Sequence, residues 1–435
     1  MANAIAETLQ SVTQGNATIV ELEQADGSWL QKVRQITIDA TDTVCLVFPH
    51  DIKALAAVVE EAAEKRWQII PCGNGSKLDW GGLTKEIQLI VSTQKCDRII
   101  QHAVDDLTVT VEAGVKIADL QARLKATNQF LPIDPAFLTT ATVGGIIATA
   151  DTGSWRYGYG GIRDLVLGIS FVRGDGEIAK AGGKVVKNVA GYDLMKLFIG
   201  SYGTLGIITQ VTFRTYPIPQ ASQTVAITGE TTQLKSAIKL LRNSGLTPTA
   251  MDLISSSVAK KLSIADENAL LIRFQTIPES IKDQTVQLTT MFDSLSVEIA
   301  TFQEKAELQL WHQLTDLVRI AQTPTAAISK LGILPTEAVS LLEKISAIDA
   351  RNLTIVHLGG GVGILQFADG VRSNIIQTIR EFCQSNSGFL SVSSAPKEIK
   401  QQIDVWGYSG NALDMMQRIQ QKFDPQNIFN SDRFF

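Results

Sequence analysis

The sequence predicts an α+β protein with more than one folding unit, in which a glycine-rich first half precedes a glycine-poor second half. The chain has 435 residues, which is long for one compact core, and 45% of them are hydrophobic. Fifteen of its 33 glycines fall within residues 144–206, and three fall within residues 207–350. Strand-like and helix-like runs alternate on both sides of residue 220. Because glycine loses much backbone entropy on folding, its crowding indicates a segment that turns tightly or approaches a ligand.

Charge and hydropathy exclude two classes of partner. The 39 Lys and Arg residues against 44 Asp and Glu give a net charge of −5, which argues against nucleic-acid binding. The N-terminus has no basic region followed by an apolar stretch, and no apolar run approaches the roughly 18–20 residues of a membrane span. We therefore expect a cytoplasmic protein with no membrane span and no nucleic-acid partner.

Cysteine and histidine usage bears on metal binding. The four cysteines are far apart and form no C-x-x-C motif, which argues against a disulfide framework and an iron–sulfur cluster. The four histidines form no H-x-x-x-H pair, which argues against a zinc site. We expect no metal in this chain, so that any iron–sulfur cluster would belong to another chain.

The first half reads as strands and helices around two irregular stretches. In chain order we predict a strand at 44–49, a helix from 52, a strand at 67–70, a loop at 71–77, strands at 87–91 and 107–113, and a helix at 117–124. Residues 131–163 lack periodicity and are predicted to be an ordered loop. Strands follow at 166–172 and 206–213, the first ending in an Asp-Gly turn.

The second half begins after two prolines, Pro217 and Pro219, which mark a boundary. Its elements indicate a second α+β domain. In chain order they are strands at 224–227 and 270–274, helices at 232–243, 280–292 and 304–320, strands at 354–358 and 364–367, and a helix at 371–383.

Three small-residue segments are candidates for ligand contact. The loop Pro-Cys-Gly-Asn-Gly-Ser-Lys at 71–77 is either a simple strand-ending turn or a cradle whose N–H groups converge on a pyrophosphate. The stretch 139–149, with Val-Gly-Gly-Ile-Ile, is either a buried turn or a flat surface for a planar ring. At 200–209 a glycine recurs every third residue before a strand. The order of the three segments is more specific than any one of them.

Residues 38–218 resemble the FAD-binding domain of the family that includes vanillyl-alcohol oxidase, D-lactate dehydrogenase and the glycolate oxidase flavin subunits. The three segments above carry the resemblance. The block Gly-Gly-Lys-Val-Val-Lys-Asn-Val-Ala-Gly-Tyr-Asp at 182–193 is similar to the FAD-binding subunit of glycolate oxidase rather than to the catalytic flavin subunit of the same complex. The closing segment 424–430 resembles the family's C-terminal return to the flavin domain.

The resemblance implies an α+β fold with a two-subdomain FAD-binding domain of the vanillyl-alcohol oxidase type and an α+β cap with an antiparallel sheet. It implies an FAD-binding domain at 1–218 with its core at 38–218, a cap at 219–400, and a C-terminal return at 401–435. The implied cofactor-binding residues are Pro71, Cys72, Gly73, Asn74, Gly75, Ser76, Lys77, Pro132, Thr142, Gly144, Gly145, Thr149, Gly203, Gly206, Ile207 and Ile208. No histidine lies in 71–82 or 141–164, so we expect non-covalent FAD.

Catalytic side chains are less well indicated. Oxidation of a 2-hydroxy acid needs a cation for the carboxylate and a base for the hydroxyl proton. The basic candidates near the flavin segments are Arg156, Arg163, Lys184 and Lys187. Arg163 and Asp164 could instead form a local ion pair, and the two lysines could face solvent.

One motif of the cap argues against an intact metal site. Catalytic relatives carry a metal-binding His-Ala-Gly-Asp-Gly-Asn-Leu-His motif, where this chain has His-Leu-Gly-Gly-Gly-Val-Gly-Ile at 357–364. Gly360 replaces the acid and Ile364 replaces the second histidine. We therefore predict that His357 is a structural residue.

The resemblance implies an FAD-binding subunit that takes part in oxidising glycolate, a 2-hydroxy acid, to glyoxylate, with a role in photorespiration. Its partners would be a catalytic flavin subunit and an iron–sulfur subunit, through which any membrane association would arise. Two alternatives remain: a non-catalytic flavin-bearing assembly subunit, and a stand-alone FAD-dependent oxidoreductase of the same fold.

Overall fold

The computed structural model describes residues 2–38, 44–184, 191–430 and 432–434. It confirms the predicted fold class, since the first half contains two larger sheets and a two-stranded one, and the second half contains an eight-stranded antiparallel sheet. The boundaries at residues 218 and 400 remain a prediction.

The first unit is a four-stranded sheet covered by helices. Its elements are α1 (Ala2–Val12), β1 (Ala17–Glu21), α2 (Gly27–Ile36), β2 (Cys45–Pro49), α3 (Ile52–Lys65), β3 (Ile69–Cys72) and β4 (Leu89–Ser92). The strand order is β1-β2-β4-β3, with β2, β4 and β3 parallel. The Asp51 carboxylate accepts a hydrogen bond from the Ala54 N–H at 2.8 Å and so caps α3. Strand β3 is at the edge of this sheet, and the loop 73–77 follows its C-terminal end.

The second unit is a five-stranded antiparallel sheet. Its elements are β5 (Ile99–Ala103), β6 (Thr108–Glu112), α4 (Ile117–Lys125), β7 (Gln129–Phe130), α5 (Val143–Ala148), α6 (Arg156–Tyr159), α7 (Ile162–Leu165), β8 (Val166–Val172), β9 (Ile178–Gly182) and β10 (Ile207–Arg214). The strand order is β5-β6-β10-β8-β9. The hairpin β8–β9 turns through Gly176 at φ +83°, as its Asp-Gly pair predicts.

The prediction of loop for residues 131–163 is wrong in part, because this stretch contains the three short helices α5, α6 and α7. None is longer than six residues, so none repeats its apolar residues often enough to show helical periodicity. The short helices nevertheless pack: Ile146, Ile147 and Ile162 are buried in the core of the second unit.

The second half of the chain is built on an eight-stranded antiparallel sheet. After β11 (Tyr216–Pro217), which pairs with β7, the elements are β12 (Ala221–Thr228), α8 (Thr231–Arg242), β13 (Ala250–Ile254), α9 (Ser256–Lys261), β14 (Ala269–Thr276), α10 (Pro278–Phe292), β15 (Glu298–Gln303), α11 (Glu304–Arg319), β16 (Ile328–Gly332), α12 (Ala338–Ile348), β17 (Leu353–His357), β18 (Val362–Gln366), α13 (Ser373–Ser385), β19 (Phe389–Ser394), α14 (Lys397–Gln402) and α15 (Leu413–Phe423). The strand order is β15-β12-β14-β13-β17-β18-β16-β19.

Both faces of this sheet are covered. Helices α8, α10, α12 and α13 bury apolar residues in one core, and α9 and α11 bury theirs in the core on the other face. Successive residues of β12, Val225 and Ala226, point into the two cores in turn, as the strand period of two requires. The C-terminal end of α11 reaches the glycine-rich half, because Arg319 donates hydrogen bonds to main-chain oxygens there.

The C-terminal segment returns to the first unit. The Ile69 N–H donates to the Ile428 carbonyl oxygen at 2.7 Å, and Ile69 forms a parallel bridge with Phe429. The Asp424 carboxylate accepts from the N–H groups of Ile428 and Phe429 at 3.1 and 2.8 Å. This return brings Asn430, Arg433 and Phe434 beside the loop that follows β3.

Within the described ranges, no helix combines the length and the apolar character that crossing a membrane requires. In the same part of the chain, no group of three or more His, Cys, Asp or Glu side chains is arranged to hold a metal ion.

Candidate functional site

The loop after β3 exposes a row of main-chain donors. None of the N–H groups of residues 73–77 donates a hydrogen bond to another described residue. The loop is held from its other side: Ser92 Oγ donates to the Gly73 carbonyl oxygen at 2.7 Å, and Asn74 Nδ2 donates to the Thr140 carbonyl oxygen at 2.9 Å. Because main-chain donors normally find partners in folded proteins, a run of five without acceptors among the described residues has the chemistry to receive an anion.

Helix α5 forms the wall opposite this loop and approaches it closely. A Cβ atom on Gly73 would lie 1.9 Å from Thr142 Oγ1, so only glycine fits there. A Cβ on Gly144 would lie 2.9 Å from the Ala113 Cβ, within the protein core. A Cβ on Gly145 would meet only Thr142 Oγ1, at 3.4 Å. Gly145 is therefore the glycine of this helix whose open side faces the cavity.

The third wall is the start of β10 and the turn before it. Gly206 has φ +138°, a conformation that L side chains rarely adopt, and its Cβ would lie 2.5 Å from the Val172 carbonyl oxygen. Asn430 closes this side, because its Nδ2 donates to the Tyr202 carbonyl oxygen.

These walls line one cavity, whose empty space of about 880 Å³ includes space open to solvent. Fifteen of the sixteen cofactor-binding residues predicted from the sequence line it. The exception is Pro132, which is buried away from the cavity, because its neighbours Leu131 and Ile133 pack into the core of the second unit.

Sequence reasoning missed further lining residues: Leu78, Trp80, Thr93, Ala148, Tyr202, Thr204, Asn430, Arg433 and Phe434. The last three come from the C-terminal return. Burial lowers the pKa of Arg433 to about 10, which leaves the guanidinium charged at neutral pH. The resemblance of segment 424–430 was the one signal that could have brought the C-terminus into the predicted site.

None of the described basic candidates lines the cavity. Arg156 and Arg163 are exposed, and the alternative ion pair of Arg163 with Asp164 is not formed, since Asp164 accepts from the Gly161 N–H at 2.9 Å instead. Lys184 is exposed and donates to Gln101 Oε1 at 2.5 Å. Lys187 lies outside the described residues.

A different set of charges meets at the cavity, and it spans both halves of the chain. Lys77 Nζ lies 2.5 Å from Asp151 Oδ2, and Asp151 Oδ1 accepts from Arg319 at the end of α11. The side chains of Lys77, Asp151 and Arg319 are 6%, 0% and 7% exposed. Asp151 also accepts from the Ala136 N–H at 3.0 Å. Lys330 of β16 lies near this group, and its ammonium has no hydrogen bond or ion pair to a described residue.

The pKa shifts follow from burial and pairing. Burial raises the pKa of Asp151, but Arg319 and Lys77 outweigh burial, so its pKa lies below the ordinary carboxylate value. Burial lowers the pKa of Lys77, against the opposing attraction of Asp151. Burial likewise lowers the pKa of Lys330. Asp151 is thus ionised at neutral pH, and its single negative charge is shared between Lys77 and Arg319.

The histidine of the altered motif, His357, pairs with a buried acid. Its Nδ1 lies 2.7 Å from Asp252 Oδ1 on the neighbouring strand β13, and its side chain is 12% exposed. No histidine is among the described residues that line the cavity.

Residues 43–182 match a protein-family model described as "FAD binding domain". The cofactor of this chain is FAD. The cavity fits such a group for two reasons. The five N–H groups of residues 73–77 have no acceptor among the described residues. A side chain would collide with Thr142 at Gly73 and would enter the cavity at Gly145. Among the described residues, the buried Asn430 Oδ1 on its wall has no hydrogen-bond partner, and Lys77 Nζ has none beyond its ion pair with Asp151.

Several curated proteins are similar in sequence. The chain is 25% identical to glycolate oxidase subunit GlcD of Bacillus subtilis over 90% of this chain and 88% of that protein. It is 35% identical to glycolate oxidase subunit GlcE of Escherichia coli over 39% of this chain and 48% of that protein. It is 35% identical to the probable mitochondrial D-lactate dehydrogenase of Danio rerio over 40% of this chain and 36% of that protein. The last two alignments therefore span less than half of those proteins.

Among solved structures, alkyldihydroxyacetonephosphate synthase has a similar fold. It superposes with a TM-score of 0.66 over 88% of this chain and 75% of that chain, at 15% sequence identity. This similarity concerns the fold alone.

Proposed function

We propose that this chain is an FAD-dependent oxidoreductase subunit that takes part in oxidising a 2-hydroxy acid, with glycolate as substrate and glyoxylate as product. The observation that carries the proposal is the cavity, which brings main-chain donors, small-residue walls and the guanidinium of Arg433 to one place. The names of the similar proteins support the substrate class, since they act on glycolate or D-lactate.

The proposed roles of the lining residues follow from their chemistry. The N–H groups of 73–77 hold the pyrophosphate, and Thr142, Gly145 and Thr149 give a path without bulky side chains for the rest of the cofactor. The rings of Tyr202 and Phe434 exclude water from one end. When bound, FAD supplies a hydride acceptor for the substrate.

Substrate recognition would rest on cations that the cap contributes. The Lys330 ammonium has no partner among the described residues and lies near Arg319, whose Nη atoms already bond Asp151 and two main-chain oxygens. In this proposal Lys330 attracts the substrate carboxylate and the loop N–H groups remain reserved for the cofactor.

A second candidate function is a flavin-bearing assembly subunit that does not itself turn over substrate. Three observations favour it. The guanidinium of Arg319 is occupied by an internal carboxylate, and no histidine that could serve as a base is among the described residues lining the cavity. Gly360 and Ile364 replace metal-binding residues of catalytic relatives, as the sequence indicated.

The proposed partners are a catalytic flavin subunit and an iron–sulfur subunit, which would accept the electrons. Two of the similar proteins are named as glycolate oxidase subunits, which supports a complex. We propose GlcE as the nearer equivalent on the block at 182–193, of which residues 185–190 lie outside the described part of the chain. The alignment with GlcD, in contrast, extends over both halves of the chain.

The test is anaerobic flavin reduction. The purified chain is examined for its flavin absorption band, mixed with glycolate or D-lactate, and then examined again with its partner subunits. Bleaching in the isolated chain would support a catalytic role and exclude the assembly role. Bleaching that requires a second flavin subunit would give the opposite result, and a colourless protein that cannot be loaded with FAD would contradict the proposal.

A further inference from the structure

The group formed by Lys77, Asp151 and Arg319 holds two basic side chains around one carboxylate. All three side chains are buried, and buried charges are costly unless they are paired. The buried carboxyl group of Asp134 also acts on Arg319, from outside this group. Apart from its ion pair with Asp151, Lys77 Nζ has no hydrogen-bond partner among the described residues, although Lys77 lines the cofactor cavity. Lys77 is therefore the member of this group through which a positive charge reaches the cavity.

The three residues come from three different parts of the fold. Lys77 ends the loop after β3, Asp151 follows α5, and Arg319 is the last residue of the cap helix α11. Arg319 also donates to the carbonyl oxygens of Asp134 at 2.5 Å and Thr152 at 3.0 Å. Arg319 thus fixes the segment that carries Asp151, and Asp151 fixes the Lys77 ammonium.

We propose that Asp151 and the cap residue Arg319 are positioning residues for Lys77, and that they hold its ammonium toward the negative charge of bound FAD. The proposal rests on the assignment of FAD to this cavity. Its consequence is that FAD retention depends on a side chain of the second half of the chain, which does not itself line the cavity.

Two single variants test this without leaving a lone buried charge. Lys77→Met leaves Asp151 paired with Arg319, and Arg319→Gln leaves Asp151 paired with Lys77. We expect each to weaken FAD binding by the apoprotein at least about tenfold, the effect of losing or misplacing one charge-assisted contact. The dissociation constant is measured from the quenching of flavin fluorescence. Arg319→Lys, which keeps the charge, should recover part of the affinity.

The triple variant Lys77→Met/Asp151→Asn/Arg319→Gln, which leaves no lone buried carboxylate, decides whether Arg319 acts through Lys77. If it does, the triple variant binds FAD no more than about twofold more weakly than Lys77→Met alone. Multiplying losses would overturn the proposal, as would wild-type affinity in Lys77→Met. The matched control is Arg273→Gln/Glu307→Gln, which neutralises another buried pair of the cap and should keep wild-type affinity.

Two further measurements identify the charge that Lys77 meets. A loss of affinity for FAD without a loss for riboflavin identifies the pyrophosphate, and a lowered midpoint potential in Lys77→Met identifies the reduced ring. Either change would support the proposal. A wild-type apoprotein that binds no FAD would overturn the assignment of the cavity itself, whereas normal FAD binding in all variants would overturn only the positioning role.

Discussion

The two halves of this chain differ in which groups make their polar contacts: the main chain in the first half and side chains in the second. In the first half the cavity is lined by main-chain N–H groups and by glycines. In the second half polar side chains are buried in specific pairs, such as Arg273 with Glu307 at 3.0 Å. A cofactor that is contacted through the main chain requires small residues close together in the sequence. A side-chain pair requires only that the fold brings two distant residues into contact.

The strongest test of the main-chain character of the first half is Gly145→Val. Because a Cβ at this position would meet only Thr142 Oγ1, at 3.4 Å, and the rest of the side chain would extend into the cavity, we expect near-complete loss of bound flavin with little change in the thermal stability of the apoprotein. Flavin absorbance per protein and a melting curve measure the two effects. The control is Gly245→Val, where a Cβ meets nothing within 4 Å. Normal flavin content in Gly145→Val would contradict the assigned cavity.

The corresponding test of the second half is Glu307→Ala. Glu307 accepts hydrogen bonds from Arg273, Ser222 and Thr224, and its removal leaves the Arg273 guanidinium buried without its carboxylate. We expect a loss of about 3–5 kcal/mol in the free energy of unfolding, measured by denaturant titration. FAD affinity of the folded variant should not change. Weakened FAD binding in the folded state would show that the Arg273–Glu307 pair also supports the cofactor cavity.

A pH titration tests the contact of α14 with the first half, where the Lys400 ammonium donates to the Asp79 carbonyl oxygen. Burial lowers the pKa of Lys400 from 10.5 to about 8. Between these pH values the unfolded chain keeps a proton that the folded chain has lost, so this residue makes stability rise with pH. Relative to Lys400→Met, the wild type should gain up to about 3 kcal/mol from pH 8 to 10.5. Taking the difference between the two proteins removes the contribution of the buried thiols. A pH-independent difference would contradict the lowered pKa.

The smallest expected effect separates packing from cofactor contact within one helix. Gly144→Ala places a Cβ 2.9 Å from the Ala113 Cβ, so we expect a loss of about 1–3 kcal/mol in the free energy of unfolding. Since the clash lies in the core, the folded variant should bind FAD better than Gly145→Val does. Denaturant titration and flavin content measure both. An affinity as low as that of Gly145→Val would mean that the two glycines do not differ as proposed.

Much of the fold and of the site could be predicted from local sequence. The strand 166–172 matches β8, and the loop 71–77 and the small-residue stretch at 142–149 line one cavity. Strands β13, β15, β16 and β19 were not predicted, and neither were the helices at either end of the chain. These elements are short, or carry exposed apolar residues such as Met415, so their periodicity is weak.

The charged part of the site could not be predicted in the same way. Arg156 and Arg163 lie near the flavin segments in sequence but are exposed, whereas Arg319 is far away in sequence and buried against Asp151. In the sequence Arg319 reads as an ordinary basic residue in the last turn of a helix. Only its burial distinguishes it.

The sequence by itself determined which segments are rich in glycine and other small residues, as at 73–77 and 144–145. It thereby indicated the cofactor class and fifteen of the residues that line the cavity, but not Arg433 or Phe434. The tertiary structure alone decided which charged side chains are in contact. Lys77 and Arg319 are 242 positions apart in the chain, and both contact Asp151 because α11 ends beside the segment that follows α5. Long-range pairing of side chains depends on how the two halves pack, and no local pattern records it.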